Sequence, residues 1–151
     1  MKRLFVIAAV SCLAASAALA QEHFTEGPVW ECSSYRTKPG HFDDYMKYLR
    51  SNAVSQGQES KKAGLILDQK FYTHVPAGPT EPDVMICTLH ASYAKALDFN
   101  AADDAKSKEI AAKHWKTPDQ EKQREMTSKR LDFREFLGSS YYREVTLKPM
   151  P

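Results

Sequence analysis

A chain of 151 residues with 42% hydrophobic and 26% charged side chains can bury one core without a disulfide scaffold. Its formal charge of +2 is small, and no Lys/Arg patch with interleaved aromatics stands out, so a nucleic-acid partner has no electrostatic support. There is neither a Gly-x-Ser-x-Gly elbow nor a Gly-rich phosphate loop, which leaves hydrolase and nucleotide-binding readings without a motif.

Met1-Lys2-Arg3 is a short basic segment, followed by an apolar run from Leu4 to Leu13 and a small-residue stretch closing on Ala18-Leu19-Ala20. This three-part pattern predicts a cleavable secretory signal over 1–20, cut before Gln21. The run is too short and too rich in alanine for a membrane span, which takes roughly 20 strongly apolar residues. Lys2 and Arg3 leave with the signal, so the mature chain balances its 19 acidic residues with as many basic ones. The expected product is periplasmic or secreted, with an N-terminal extension over 21–28 and a single domain over 29–151. Cys32 and Cys87 remain in a compartment that permits a disulfide. Each also sits in an apolar strand-like run, where a buried free thiol is ordinary.

Val29 to Arg36 reads as a strand ended by the Lys38-Pro39-Gly40 turn. Phe42, Tyr45, Met46, Leu49 and Ala53 form one helical stripe, with Asp43 and Asp44 at the start, Lys61-Lys62 at the end and Gly64 as the stop. Leu65 to Val75 alternates as a second strand, a Pro/Gly-rich loop follows, and Val84 to His90 is a nearly all-apolar third strand. From Ser92 to Leu137 the chain reads as a broken helical region with pieces at Ser92 to Phe99 and Ala101 to Trp115. A last helix is capped at Thr117 and runs through Met126, Phe133, Phe136 and Leu137 to Gly138. Its first half, Asp119 to Glu125, is wholly polar and is expected to be solvated or to contact a partner. Tyr141 to Leu147 is the final strand.

The order strand, helix, strand, strand, helical region, strand predicts an α+β fold. The arrangement expected is a ferredoxin-like split βαβ, with a four-stranded antiparallel sheet and helices on one face. Alternation sorts Trp30, Cys32, Leu65, Leu67, Phe71, Met85, Cys87, Leu89, Val145 and Leu147 under the helices. The open face would then carry Glu31, Ser33, Tyr35, Ile66, Asp68, Lys70, Tyr72, Val84, Ile86, Thr88, His90, Tyr142 and Glu144. So many apolar and aromatic residues on an open face predict a homodimer through it.

Glu31 to Gly40 (E-C-S-S-Y-R-T-K-P-G) with Phe42 and Tyr45 resembles the opening of dimeric α/β-barrel proteins, in particular the NIPSNAP-like, EthD-like and antibiotic-biosynthesis-monooxygenase-type branches. Lys62-Ala63-Gly64-Leu65 and Tyr93-Ala94-Lys95-Ala96-Leu97 fit the same pattern, whereas Ser33 stands where NIPSNAP-like sequences often have Arg. The resemblance implies a homodimer whose paired sheets form a barrel, in a superfamily that includes cofactor-free oxygenases, haem enzymes and small-molecule lyases. It also implies that the broken helical region roofs a pocket between helices and sheet.

His90 is the candidate general base, and the resemblance makes it a possible haem ligand; its ordinary alternative is a hydrogen-bonded strand-end histidine. Tyr35, Asp68, Tyr72, His90, Trp115 and Tyr142 are the candidate ligand-binding residues, because tyrosines and tryptophan offer a ring for stacking and a polar tip for orientation. The same tyrosines suit a dimer interface. His74 and His41 belong to no metal-ligand spacing, so no dedicated metal site is expected and no cofactor is required. The leading expectation is an exported protein holding an apolar or aromatic small molecule. The alternatives are a cofactor-independent or haem-dependent oxygenase-type enzyme, and a non-catalytic assembly or stress-response protein.

Overall fold

The structure is a computed structural model that describes residues 23–150. The proposed signal and its cleavage site lie outside them. It is α+β: β1 (Phe24–Thr37), α1 (Phe42–Tyr48), a π-helical turn (Leu49–Ala53) and α2 (Val54–Lys62), then β2 (Asp68–Thr73) and β3 (Val84–His90). α3 (Tyr93–Leu97), α4 (Ala101–Trp115), α5 (Gln120–Ser128), a 3-10 turn (Lys129–Asp132) and β4 (Arg134–Leu147) complete it. The strands form one antiparallel sheet in the order β2-β3-β1-β4.

α1 begins where the apolar stripe begins, with Asp43 and Asp44 at the positive end of its dipole. Tyr45 and Leu49 bury against Val84, and Tyr35, Phe71, Ile86 and Phe133 pack around them. Gly64, at φ +72°, turns the chain out of α2. Asn100 caps α4 through Oδ1, which accepts from the Ala102 and Asp103 N–H groups at 3.0 Å each.

This core reverses the predicted faces of β1 and β3. Tyr35, Val84 and Ile86 lie under the helices, and their register neighbours Glu31, Ser33, Thr88 and His90 share that face. Trp30, Cys32, Met85, Cys87 and Leu89 belong to the open face. Both faces of β3 are apolar, so period-two patterning could not choose between them. Phe71 does lie under the helices, and Asp68, Lys70, Tyr72, Tyr142 and Glu144 share the open face as expected. Leu65, Ile66 and Leu67 precede β2, which is shorter than predicted.

Two further expectations are corrected. The chain beyond Ser128 is no helix: a 3-10 turn leads into a 14-residue β4 that takes in Phe136, Leu137 and Gly138. The Phe133, Phe136, Leu137 spacing imitated a helical stripe, and the glycine imitated its stop. Gly138, at φ +140°, instead sits where pairing steps from Ser34–Gly138 to Tyr35–Phe136, which leaves Leu137 as the extra residue of a β-bulge. The helix start also moves, because Asp119 rather than Thr117 caps α5, accepting from Glu121 N–H at 3.0 Å. At the other end, β1 starts at Phe24, inside the stretch read as an extension, and its first residues pair with β4 alone.

Cys32 and Cys87 face each other across β1 and β3 and are joined as a disulfide. The ordinary reading of each as a free thiol is therefore replaced.

Candidate functional site

The predicted site residues do not converge. Tyr35 lies in the core, its ring centroid 6.0 Å from that of Tyr45 and 4.0 Å from the Arg134 guanidinium carbon. Asp68 opens β2 and pairs with Lys61 at 3.0 Å, which holds its carboxyl below the usual range. Tyr72 and Tyr142 sit on the open face with Trp30, Met85 and the disulfide, around a shallow hollow of about 290 Å³. Lys70 Nζ stands 4.9 Å from the Trp30 ring centroid, and Trp30 Nε1 donates to Glu144 at 2.7 Å. This wall is aromatic, and its Trp30 is held by Lys70 on the ring and Glu144 on the indole N–H.

His90 ends β3 on the helix-covered face. Nε2 lies 3.3 Å from Glu31 Oε2 without hydrogen-bond alignment, and neither ring nitrogen has a hydrogen-bond partner or solvent contact. Tyr141 bonds Glu31 from the neighbouring strand; desolvation and the Glu31 charge together push its phenol up. The Arg143 guanidinium carbon stands 4.6 Å from the Tyr93 ring centroid nearby. A haem iron could not reach His90 in this arrangement, because both nitrogens are closed off and Glu31 faces one of them.

Trp115 belongs elsewhere. It ends α4 and lines a cleft of about 510 Å³ between α2, α4 and α5. Ala111 and Leu131 add apolar wall, and Gln56, Gln123 and Arg130 add polar groups. The cleft lies on the side of α2 away from its contact with β2 at Gly57 and Gln69, beside the contact of α2 with α4. His114 fastens that contact: Asn52 Nδ2 donates to Tyr48 O at 2.9 Å, so Asn52 Oδ1 is the atom turned to His114 Nε2, at 3.1 Å. Nε2 must then carry the hydrogen, and Nδ1 accepts from Ser55 Oγ at 3.1 Å. Ser55 also approaches Asn52 O at 3.3 Å and sits inside a continuous helix, where no free backbone N–H could stabilise an oxyanion. The Ser55-His114-Asn52 chain is therefore a clasp between helices.

Compared with known proteins, the chain matches no family model, no curated sequence and no solved structure.

Among the described residues no group of three or more His, Cys, Asp or Glu side chains could hold a metal ion, and no helix is long and apolar enough to cross a membrane. His74 Nδ1 faces Pro82 O at 3.0 Å, and His41 Nδ1 lies 3.2 Å from Asp44. Of the cleft residues, the sequence reading named Trp115 alone. A signal for the rest existed in the wholly polar Asp119 to Glu125 segment, whose inner side brings Gln120, Gln123 and Arg124 to the cleft. What could not be read was that α2 would supply the opposite wall.

Proposed function

We propose that this chain is an exported binding protein that takes an apolar or aromatic small molecule in the α2–α4–α5 cleft. The observation that carries this reading is the cleft itself. Its volume of about 510 Å³ suits a small organic ligand, and it combines the Trp115 ring and Leu131 with a few polar groups, the usual make-up of such sites. The pocket proposed lies between helices, not between helices and sheet. The Cys32–Cys87 disulfide supports export, since such bonds persist in oxidising compartments.

The strand order β2-β3-β1-β4 with antiparallel neighbours supports the ferredoxin-like split βαβ reading and membership of the dimeric α/β-barrel class. Trp30, Tyr72, Met85, Leu89 and Tyr142 on the open face support the homodimer, with two sheets packed face to face. The alternative of an enzyme using His90 gains nothing from this geometry, because both of its ring nitrogens are closed off from solvent beside Glu31.

Titration of a Trp30→Phe variant with N-phenyl-1-naphthylamine tests the binding reading, since Trp115 is then the reporting tryptophan. Saturable quenching is expected, and the rise in the probe's own emission on binding should be lost in Trp115→Leu with the fold intact by circular dichroism. Undiminished binding by Trp115→Leu would remove the cleft as the site.

A further inference from the structure

Resting on the cleft reading above, we infer that the cleft selects ligands carrying an anionic group, a carboxylate or its like, and that Arg130 is the residue that reads it. The charged side chains lining the cleft are Lys108, Arg124 and Arg130, and no acidic side chain lines it. Two of these cations are already engaged along their own helices: Lys108 with Asp104 at 2.8 Å, and Arg124 with Glu121 at 3.0 Å. Among the described residues Arg130 has no carboxylate within 4.0 Å and its guanidinium has no acceptor. It comes from the 3-10 turn that closes the cleft behind Leu131.

The hydrogen-bond accounting points the same way. The Ser107, Thr127 and Ser128 hydroxyls donate to carbonyls of their own helices, at 2.9, 2.6 and 2.6 Å. The Gln123 amide donates to Thr117 O at 2.7 Å. The donors left over without any acceptor among the described residues are those of Arg130, the Trp115 indole N–H and the neutral Gln120 amide, of which Arg130 alone carries a charge. A planar guanidinium fork and an indole N–H at the rim of an apolar wall match a flat apolar body bearing a carboxylate. A neutral ligand of the same shape would leave the fork unanswered.

An isosteric pair isolates the charge: 2-naphthoate and 2-naphthamide, titrated calorimetrically into the protein purified after expression of the whole chain. We expect naphthoate to bind about tenfold more tightly, as charge-assisted hydrogen bonds outweigh neutral ones. The preference should shrink at high salt and vanish in Arg130→Gln, while that variant's affinity for naphthamide is unchanged. Equal binding of the two compounds by the unaltered protein would overturn the anion reading and leave the cleft standing. If neither compound binds, the cleft reading fails and takes this inference with it.

Discussion

The Cys32–Cys87 bond closes a loop of 55 residues, and its removal is the most quantitative test of the fold. Chain-entropy reasoning for a loop of that length gives about 14 cal/mol/K taken from the unfolded state, or about 4 kcal/mol at 25 °C. Domains of this size are stable by roughly 5–15 kcal/mol, so the bond supplies a large part of the margin. Cys87 is buried and pairs directly with Cys32 between two strands that also share backbone hydrogen bonds. The double variant Cys32→Ala/Cys87→Ala should therefore still form the sheet, with a midpoint of thermal unfolding lower by about 15 °C. Urea unfolding followed by circular dichroism should show a loss of about 4 kcal/mol and a somewhat larger m-value, because the unlinked unfolded chain exposes more surface. Dithiothreitol should bring the unaltered protein to the same curve. A loss below about 1 kcal/mol would refute the loop-closure argument.

Three other outcomes follow from the packing. Burial pushes the Tyr45 phenol up to about 12, against a downward pull from the Arg134 guanidinium. An unfolded tyrosine ionises near 10, so stability is whole below pH 10 and is lost as pH rises through 12; alkaline unfolding should show this limb, and Tyr45→Phe should flatten it. A methyl at Gly57 would meet the end of the flexible Gln69 side chain, so Gly57→Ala should stabilise α2 by less than its helix propensity alone would give, the difference being the cost of moving that amide aside. In a Gln69→Ala background the same change should recover the helix-propensity gain of roughly 1 kcal/mol, read by chemical denaturation. His114→Ala should cost about 1–2 kcal/mol through the Ser55 and Asn52 groups it leaves unpaired, with hydrogen-exchange protection falling in α4 first.

The elements that were legible are those whose pattern belongs to one periodicity. Val84–His90 and Ala101–Trp115 were bounded by turn and cap residues and stand where they were read. β4 was half missed because Phe133, Phe136 and Leu137 satisfy a helical spacing, and only pairing with β1 decides between the two. The faces of β1 were exchanged because Glu31 and Ser33 look solvent-bound while Trp30 and Cys32 look buried. In the fold Glu31 answers His90 and Tyr141 under the helices, and Trp30 finds Lys70 and Glu144 outside. Trp115 was visible as an aromatic in a broken helix. Gln56 and Arg130 were not, since nothing local marks two distant polar residues as opposite walls of one cleft.

The π turn at Leu49–Ala53 divides one helical rod into two addresses. Up to its first residue, Tyr45 and Leu49 bury on the sheet; after it, Ser55 and Glu59 turn to α4, which returns His114 and Lys113. A π turn holds one residue more than the α-helix around it, and each helical residue advances the side chains by about 100°. Winding the same residues as regular α-helix would leave α1 seated and swing the far half of the rod about a quarter turn. Gln56 and the clasp on His114 would go with it, and the cleft would lose a wall without any residue in it having been changed.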